Sequence, residues 1–429
     1  MRSWRNTGRI SVGLNFGDRD AAPRLGEAAV AAGRIYLQFD AGFVAAGINP
    51  SPIRMQLTND LQEGARDLEG LPGLLHDSMP DGWARLVLDR ALRNAGYDHT
   101  SLTAIDRLAL VGADGSGALT YDGPRLESFE APAVDFDTAA ALVGRAPEEE
   151  DGDRIRDALT LTGSLGGARP KVNAWRLGDA FSTSSAPGAR LWLAKFPAKG
   201  DGPDAGAVEY AYSLMAGAAG VEMPPTTLLP STRTAGYFAV ERFDRTPTGG
   251  RLHMHSLGGL LNASTANSVL GYEALMRVTG QLTQREGADV ASIEQQIARM
   301  AFNVLARNRD DHVKNHAFLM DDKGSWRPSP AFDLTYSNLP EHALLVGGAG
   351  RNPGISDMLD VARSVGIADG RANAIIERVR SAVGDWRIHA KSANVSPALL
   401  RDIDSSLNDS GDNSVAQAAY LAWSSGRGR

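Results

Sequence analysis

Asn308-Arg309-Asp310-Asp311-His312-Val313-Lys314-Asn315, followed downstream by Pro330-Ala331-Phe332-Asp333, sets an acid, a carboxamide and a second acid at spacings that suit one kind of chemistry. Moving a phosphoryl group requires a carboxylate to orient the attacking hydroxyl and further oxygens for the cation that bridges the nucleotide phosphates. Asp310, Asn315 and Asp333 can supply them. The pattern D-x-H-x-x-N has only three fixed letters, and Asp, His and Asn are ordinary solvated loop residues. Its weight comes from the elements around it and from the order of the other segments.

Ile293, Ile297, Met300, Ala301, Val304 and Leu305 recur at helical intervals just upstream, which predicts a bundle helix with one buried face that stops at the polar loop. Beyond the loop, Ala317-Phe318-Leu319-Met320 reads as a strand, Asp321-Asp322-Lys323-Gly324 as a turn, and Trp326 as the start of the return. Such a hairpin brings Asp333 back beside Asn315, so that two metal ligands become neighbours.

Four further segments precede this loop. In Thr162-Gly163-Ser164-Leu165-Gly166-Gly167-Ala168-Arg169-Pro170-Lys171, the glycines let backbone N–H groups approach phosphate oxygens, and Arg169 and Lys171 add positive charge. A plain glycine turn between strands is the other reading. Leu191-Trp192-Leu193-Ala194-Lys195-Phe196-Pro197 alternates as a strand and puts Lys195 on the side of Leu191 and Leu193, its ammonium directed at nucleotide phosphates or snorkelling at a strand end. Val208, Tyr212 and Met215 mark a helix ended by Gly220, and its Glu209 either holds Lys195 or faces solvent. Gly236 to Arg245 is a strand running into charge, where backbone groups around Glu241 and Phe243 either meet an adenine edge or form an unliganded strand edge.

The five blocks, Gly163 to Lys171, Leu193 to Pro197, Val240 to Arg245, Asp310-x-His312-x-Lys314-Asn315 and Phe332-Asp333, stand in the order of the HipA family of serine/threonine kinase toxins, which this chain resembles. His76-Asp77-Ser78-Met79-Pro80-Asp81-Gly82-Trp83 and Gly112 to Leu119 are similar to segments of that family's N-terminal subdomain, so the likeness covers nearly the whole chain. It implies an α+β, bilobal protein-kinase-like fold with an N-terminal α/β subdomain and a mostly helical C-terminal lobe. The implied divisions are residues 1–145, an ATP-binding region over 146–245 with phosphate loop and hinge, and a helical lobe over 246–429.

Carried over by position, the resemblance makes Asp310 the catalytic base, Asn315 and Asp333 the magnesium ligands, and Lys195 the phosphate-binding lysine. The nucleotide-binding set is then Ser164, Gly166, Gly167, Ala168, Lys171, Lys195, Glu209, Glu241, Phe243, His312 and Lys314, with ATP and Mg2+ as cofactors. His312 is expected to brace the backbone around Asp310. Ser164 falls at the family's autophosphorylated serine, although Arg169-Pro170 stands where many relatives carry polar pairs such as Gln-Glu. The implied partners are a HipB-like DNA-binding antitoxin, operator DNA through that antitoxin, and an aminoacyl-tRNA synthetase as substrate, with growth arrest and persistence as the outcome. A small-molecule kinase and a catalytically silent antitoxin-binding scaffold are the alternatives.

Composition agrees with a globular protein of two or three domains: 429 residues, 43% hydrophobic and 22% charged. Zero cysteines exclude disulfides and thiolate metal sites and fit a reducing cytoplasm. No stretch reads as a signal peptide or a membrane span. A net charge of −7 argues against this chain alone gripping a phosphate backbone along a broad face. Ile10, Val12, Leu14 and Phe16, then Ile35, Leu37 and Phe39, alternate as N-terminal strands. Ser78 and Asp81 read as a capping box for the helix carrying Trp83, Leu86 and Val87, with Gly96 at its end. Pro147 to Asp153 reads as a solvated acidic connector, and Ser182 to Gly188 as a loop. His253 and His255 lack a nearby acid in sequence and read as hydrogen-bonded or exposed histidines, not metal ligands.

Overall fold

The computed structural model describes residues 1–17, 23–124, 126, 130–163, 166–266, 269–284 and 289–408. Period-two alternation builds the first sheet. Ile10, Val12 and Leu14 are buried on the strand Arg9–Leu14, as are Ile35, Leu37 and Phe39 on Arg34–Phe39. Five antiparallel strands lie in the order Gln62–Glu63, Arg34–Phe39, Arg24–Ala31, Arg9–Leu14, Leu119–Asp122. Their apolar face packs on the helix Ala104–Val111, whose start is fixed by a reciprocal Thr103–Asp106 capping box.

A second antiparallel sheet has the order Thr226–Leu229, Tyr237–Glu241, Arg190–Lys195, Lys171–Leu177, Ala180–Ser182, with Lys195 directly opposite Lys171. Because side chains alternate across a strand, Val172, Ala174, Trp192 and Ala194 share one face and pack with the helices Phe136–Arg145 and Gly152–Thr162. Lys171, Asn173, Leu193 and Lys195 turn to the other face. The helix Ala205–Ala218 lies beside this sheet and ends before Gly220, whose φ of +76° suits the turn that follows.

The large lobe gathers the helices Tyr272–Thr283, Val290–Leu305, Ile355–Ser364, Asp369–Gly384, Trp386–Ser392 and Pro397–Asn408 around one apolar core. Helix Val290–Leu305 buries Ile293, Ile297, Met300, Ala301 and Phe302, each large side chain contributing about 1.5–3 kcal/mol. The hairpin Ala317–Met320 and Trp326–Pro328 forms, and His253–Ser256 adds a third strand to it. The architecture is therefore two-lobed α+β behind an N-terminal sheet region.

Two local expectations change. Asp81 does occupy the N-cap of the helix Gly82–Asn94, but its carboxylate makes no bond to that helix, so the Ser78–Asp81 box does not form. The acidic connector is partly structured, since Asp151 accepts from the N–H groups of Asp153 and Arg154 and starts the helix Gly152–Thr162. His253 and His255 are buried. His253 Nε2 lies 2.9 Å from the Pro50 carbonyl, and His255 bridges Ser51 Oγ (2.9 Å) and Asp77 Oδ2 (2.6 Å). Asp77 also accepts from the N–H and Oγ of Ser256, each at 2.6 Å, which fastens the N-terminal region to the large lobe.

Candidate active site

The segment Asn308 to Asn315 hangs from the end of the helix Val290–Leu305. Arg307 takes a left-handed φ of +53°, and Asn308 is pinned to Asn303 through its backbone N–H and its side-chain amide, both at 2.9 Å. Asp311 is the anchor. Fully buried, it accepts from Tyr272 OH (2.7 Å) and the Ala343 N–H (2.9 Å), with His342 Nδ1 3.0 Å away. Burial alone would raise its pKa, but the bond and charge of His342 and the Tyr272 bond bring it below the usual carboxylate range.

With Asp311 turned inward, its neighbour Asp310 projects outward with a half-exposed side chain. Desolvation raises the Asp310 pKa and Asp333 adds to that rise, while the charges of His312 and Arg169 oppose it. The brace on its backbone comes from Asn315, not from the His312 ring. Asn315 Nδ2 donates to the Asp310 carbonyl at 2.8 Å, and the Asn315 N–H to the His312 carbonyl at 2.8 Å, whereas His312 Nε2 stands 4.0 Å from Asp310 Oδ1. Donation through Nδ2 leaves the Asn315 carbonyl oxygen directed away from the Asp310 carbonyl, as an acceptor.

Lys195 Nζ donates to Glu209 Oε1 at 2.5 Å and also to Asp333 Oδ1. Burial acts to lower the Lys195 pKa, but the two carboxylates outweigh it and hold the ammonium firmly charged. Asp333 responds in the opposite sense: burial acts to raise its pKa, and the charges of Lys195 and Lys171 carry it well below the ordinary range. Its φ of +53° is left-handed, a conformation Asp adopts more readily than most residues. Lys171, buried across the ladder, has its pKa lowered mainly by desolvation, against the pull of Asp333. It donates to the Gly166 carbonyl at 2.6 Å.

Arg169 reaches Asp201 (3.0 Å) and stands 3.7 Å from Glu209. Ala168 is exposed between it and Gly167. Ser164 lies outside the described residues.

At the junction between the lobes the Phe243 ring packs on Phe332, centroids 5.5 Å apart, which places the segment after the strand Tyr237–Glu241 against Phe332-Asp333. The Glu241 carboxylate turns aside to Arg190, and its N–H is taken by the Pro225 carbonyl at 2.9 Å. Continuing the register of Thr226 with Val240 puts Pro225 opposite Glu241. Proline has no N–H to return, so the ladder leaves the Glu241 carbonyl without its usual donor from that strand.

The structure thus joins Lys171, Lys195, Glu209 and Asp333 by direct contact or charge, with Asp310 and His312 within electrostatic reach of Asp333. Lys314 is tied in by a residue that sequence reasoning placed elsewhere: its Nζ lies 2.7 Å from Asp81 Oδ2, and Asp81 Oδ1 accepts from the Gly167 N–H at 2.5 Å. The anchor formed by Asp311, Tyr272 and His342 was also missed. Both sets depend on pairings across long stretches of chain, which no local spacing announces.

Comparison with known proteins gives the family of the chain. The HipA-like C-terminal domain family model matches residues 163–386, and the HipA N-terminal domain model matches residues 22–122. This chain belongs to the HipA family. In fold it is similar to the HipA of Shewanella oneidensis MR-1, solved with HipB and its operator DNA, at TM-score 0.67 and 16% identity over 92% of this chain and 95% of that one. It is also 26% identical over 245 residues to "Putative kinase Y4dM" of Sinorhizobium fredii (strain NBRC 101917 / NGR234), an alignment taking in 53% of this HipA-family chain. The chain spans about half the length of that curated relative, 54% of it. Among the described residues no helix is long and apolar enough to cross a membrane.

Proposed function

We propose that this HipA-family chain is an ATP- and magnesium-dependent serine/threonine protein kinase, the toxin of a HipBA-like toxin–antitoxin module. The observation that carries this reading is the buried Lys195 ammonium shared by Glu209 and Asp333, beside the loop that presents Asp310 and Asn315. Phosphoryl transfer is largely positioning and charge neutralisation, and these groups supply both. Asp310 orients and accepts the proton of the acceptor hydroxyl. Lys195 and Lys171 would face the phosphates of a bound nucleotide, and the Glu241 carbonyl, together with the backbone of Phe243, would face its adenine edge.

Asn315 and Asp333 fit a magnesium ion. They offer one carboxamide oxygen and one carboxylate. A hard cation that keeps few protein ligands and takes its remaining oxygens from phosphates and water matches that set. Bound there, it would neutralise charge on the phosphate oxygens.

The structure of the Shewanella HipA with HipB and its operator DNA supports a HipB-like antitoxin as partner, with operator DNA reached through it. An aminoacyl-tRNA synthetase is the proposed protein substrate and the cytoplasm the proposed site of action. The test is incubation of the purified protein with labelled ATP, magnesium and a cell lysate, with identification of the labelled protein and residue. Label on serine or threonine of a synthetase supports the reading. Transfer only to metabolites, or none in the presence of ATP and magnesium, overturns it.

Two expected outcomes follow from the charges. Arg169 favours ionised Asp310, so Arg169→Gln is expected to raise the Asp310 pKa and move the acid limb of the kcat/KM–pH profile to higher pH. A shift to lower pH, or none, would show that another group sets this limb. Autophosphorylation at Ser164 would add about −1.5 to −2 of charge to a loop that binds phosphates, so Ser164→Asp is expected to weaken ATP binding at least tenfold by calorimetry. Full ATP affinity in that variant would show that negative charge at this position does not repel the nucleotide.

A further inference from the structure

The structure assigns a positioning role to Asp81, a residue of the N-terminal region that locks the phosphate loop to the catalytic loop; the assignment rests on the kinase reading above. Asp81 stands at the N-cap of the helix Gly82–Asn94, where a carboxylate ordinarily accepts from the second or third N–H of its helix. Here it makes no such bond. One oxygen accepts from the Gly167 N–H at 2.5 Å, and the other meets Lys314 Nζ at 2.7 Å. The partners lie 86 and 233 residues away in the chain.

The grip on the phosphate loop is two-handed. The Trp83 N–H donates to the Gly167 carbonyl at 2.9 Å, so one turn of the N-terminal region holds both backbone groups of one loop residue. Glycines on both sides permit the approach. A Cβ on Gly82, which has a φ of +48°, would collide with the Gly167 carbonyl, and one on Gly166 would press on Asp81 Oδ1. Desolvation acts to raise the Asp81 pKa, but the charge and bond of Lys314, the Gly167 N–H and the charge of Lys171 bring it below the ordinary range. The carboxylate therefore stays ionised between two backbone and side-chain donors.

Lys314 sits one residue before Asn315, and Gly167 belongs to the loop that would cradle the nucleotide phosphates. Fixing one to the other sets the distance between the groups that hold the transferred phosphoryl and those that hold the acceptor. The N-terminal region is thereby part of the catalytic apparatus, with Asp81 acting through Gly167 and Lys314 and touching neither substrate.

Two substitutions separate the two hands of Asp81. Asp81→Asn keeps an oxygen for Gly167 but loses the charge that faces Lys314, so kcat is expected to fall about tenfold with the KM for ATP little changed. Asp81→Ala loses both bonds, so kcat falls about a hundredfold and the KM for ATP also rises. Adding Asp81→Asn to Lys314→Met lowers kcat little beyond Lys314→Met alone, because the two act as a pair. If wild type transfers phosphate and both Asp81 variants match its kcat and KM, the assignment is overturned.

If wild type transfers none, the kinase reading fails, and amide exchange at Gly167 decides the lock by itself. Faster exchange in Asp81→Ala than in wild type supports it, and an equal rate overturns it. Should Asp81→Ala melt far below wild type, the kinetic comparison rests on Asp81→Asn.

Discussion

Asp310→Asn is expected to lower kcat for phosphoryl transfer about a thousandfold while nucleotide binding by calorimetry stays within about twofold, the usual range for loss of a positioned base being 10²–10⁴. The substitution preserves volume and leaves the Asp310 carbonyl that receives Asn315 Nδ2, so the loop keeps its shape. What disappears is a carboxylate whose ionised form is disfavoured by desolvation and by Asp333. A carboxyl with a pKa raised on folding contributes stability that is fully present below its unfolded pKa and lost as pH rises through the folded value. At neutral pH the ionised group therefore opposes folding, and Asp310→Asn is expected to melt at or slightly above the wild-type temperature. A kcat within threefold of wild type would place the base elsewhere.

Lys195→Met is expected to cost about 3–5 kcal/mol of stability and to reduce transfer more than a hundredfold, since it strips the counter-charge from the buried Glu209 carboxylate. It also removes the ammonium bound to Asp333. The double variant Lys195→Met/Glu209→Gln should recover part of the stability and none of the activity. Chemical denaturation resolves the first effect and labelled-ATP assays the second. The sign of the pH dependence is fixed on both sides. The raised pKa of Lys195 gives a contribution present below its unfolded value of about 10.4 and lost as pH rises through the folded value. The depressed pKa of Asp333 gives one present above about 3.9 and lost as pH falls through the folded value. Between about pH 5 and 9 neither Lys195 nor Asp333 changes charge in the wild-type protein, so this pair adds no slope to wild-type stability there.

Elements with a strong period were legible in the sequence. The alternation of Ile10, Val12 and Leu14, the apolar face of Val290–Leu305 and the turn at Asp321 to Gly324 each follow from local chain geometry, and each forms. The placement of Lys195 beside Leu191 and Leu193 was legible for the same reason. Asp81 was not. Its local setting matches a helix cap, and only the arrival of Gly167 and Lys314 from other parts of the chain overrides that preference. Asp311 was overlooked because it stands next to Asp310 and differs from it only in facing Tyr272 and His342, a direction set by tertiary packing. The segment around Glu241 was half legible: the strand into Glu241 follows from its residues, but the effect of Pro225 on the Glu241 carbonyl depends on strand register.

The fastening of Ser51 to His255 has a consequence for synthesis of the chain. The two residues are 204 positions apart, and Asp77 waits nearly as long for Ser256. At about 5–20 residues per second on a ribosome, the early sheet emerges roughly 10–40 s before the strand that neutralises its buried polar groups. The nascent chain therefore carries an unfinished seam while it is still tethered. The Lys195 ammonium meets its last carboxylate only after Asp333 has been made, so the buried charge cluster closes late in synthesis.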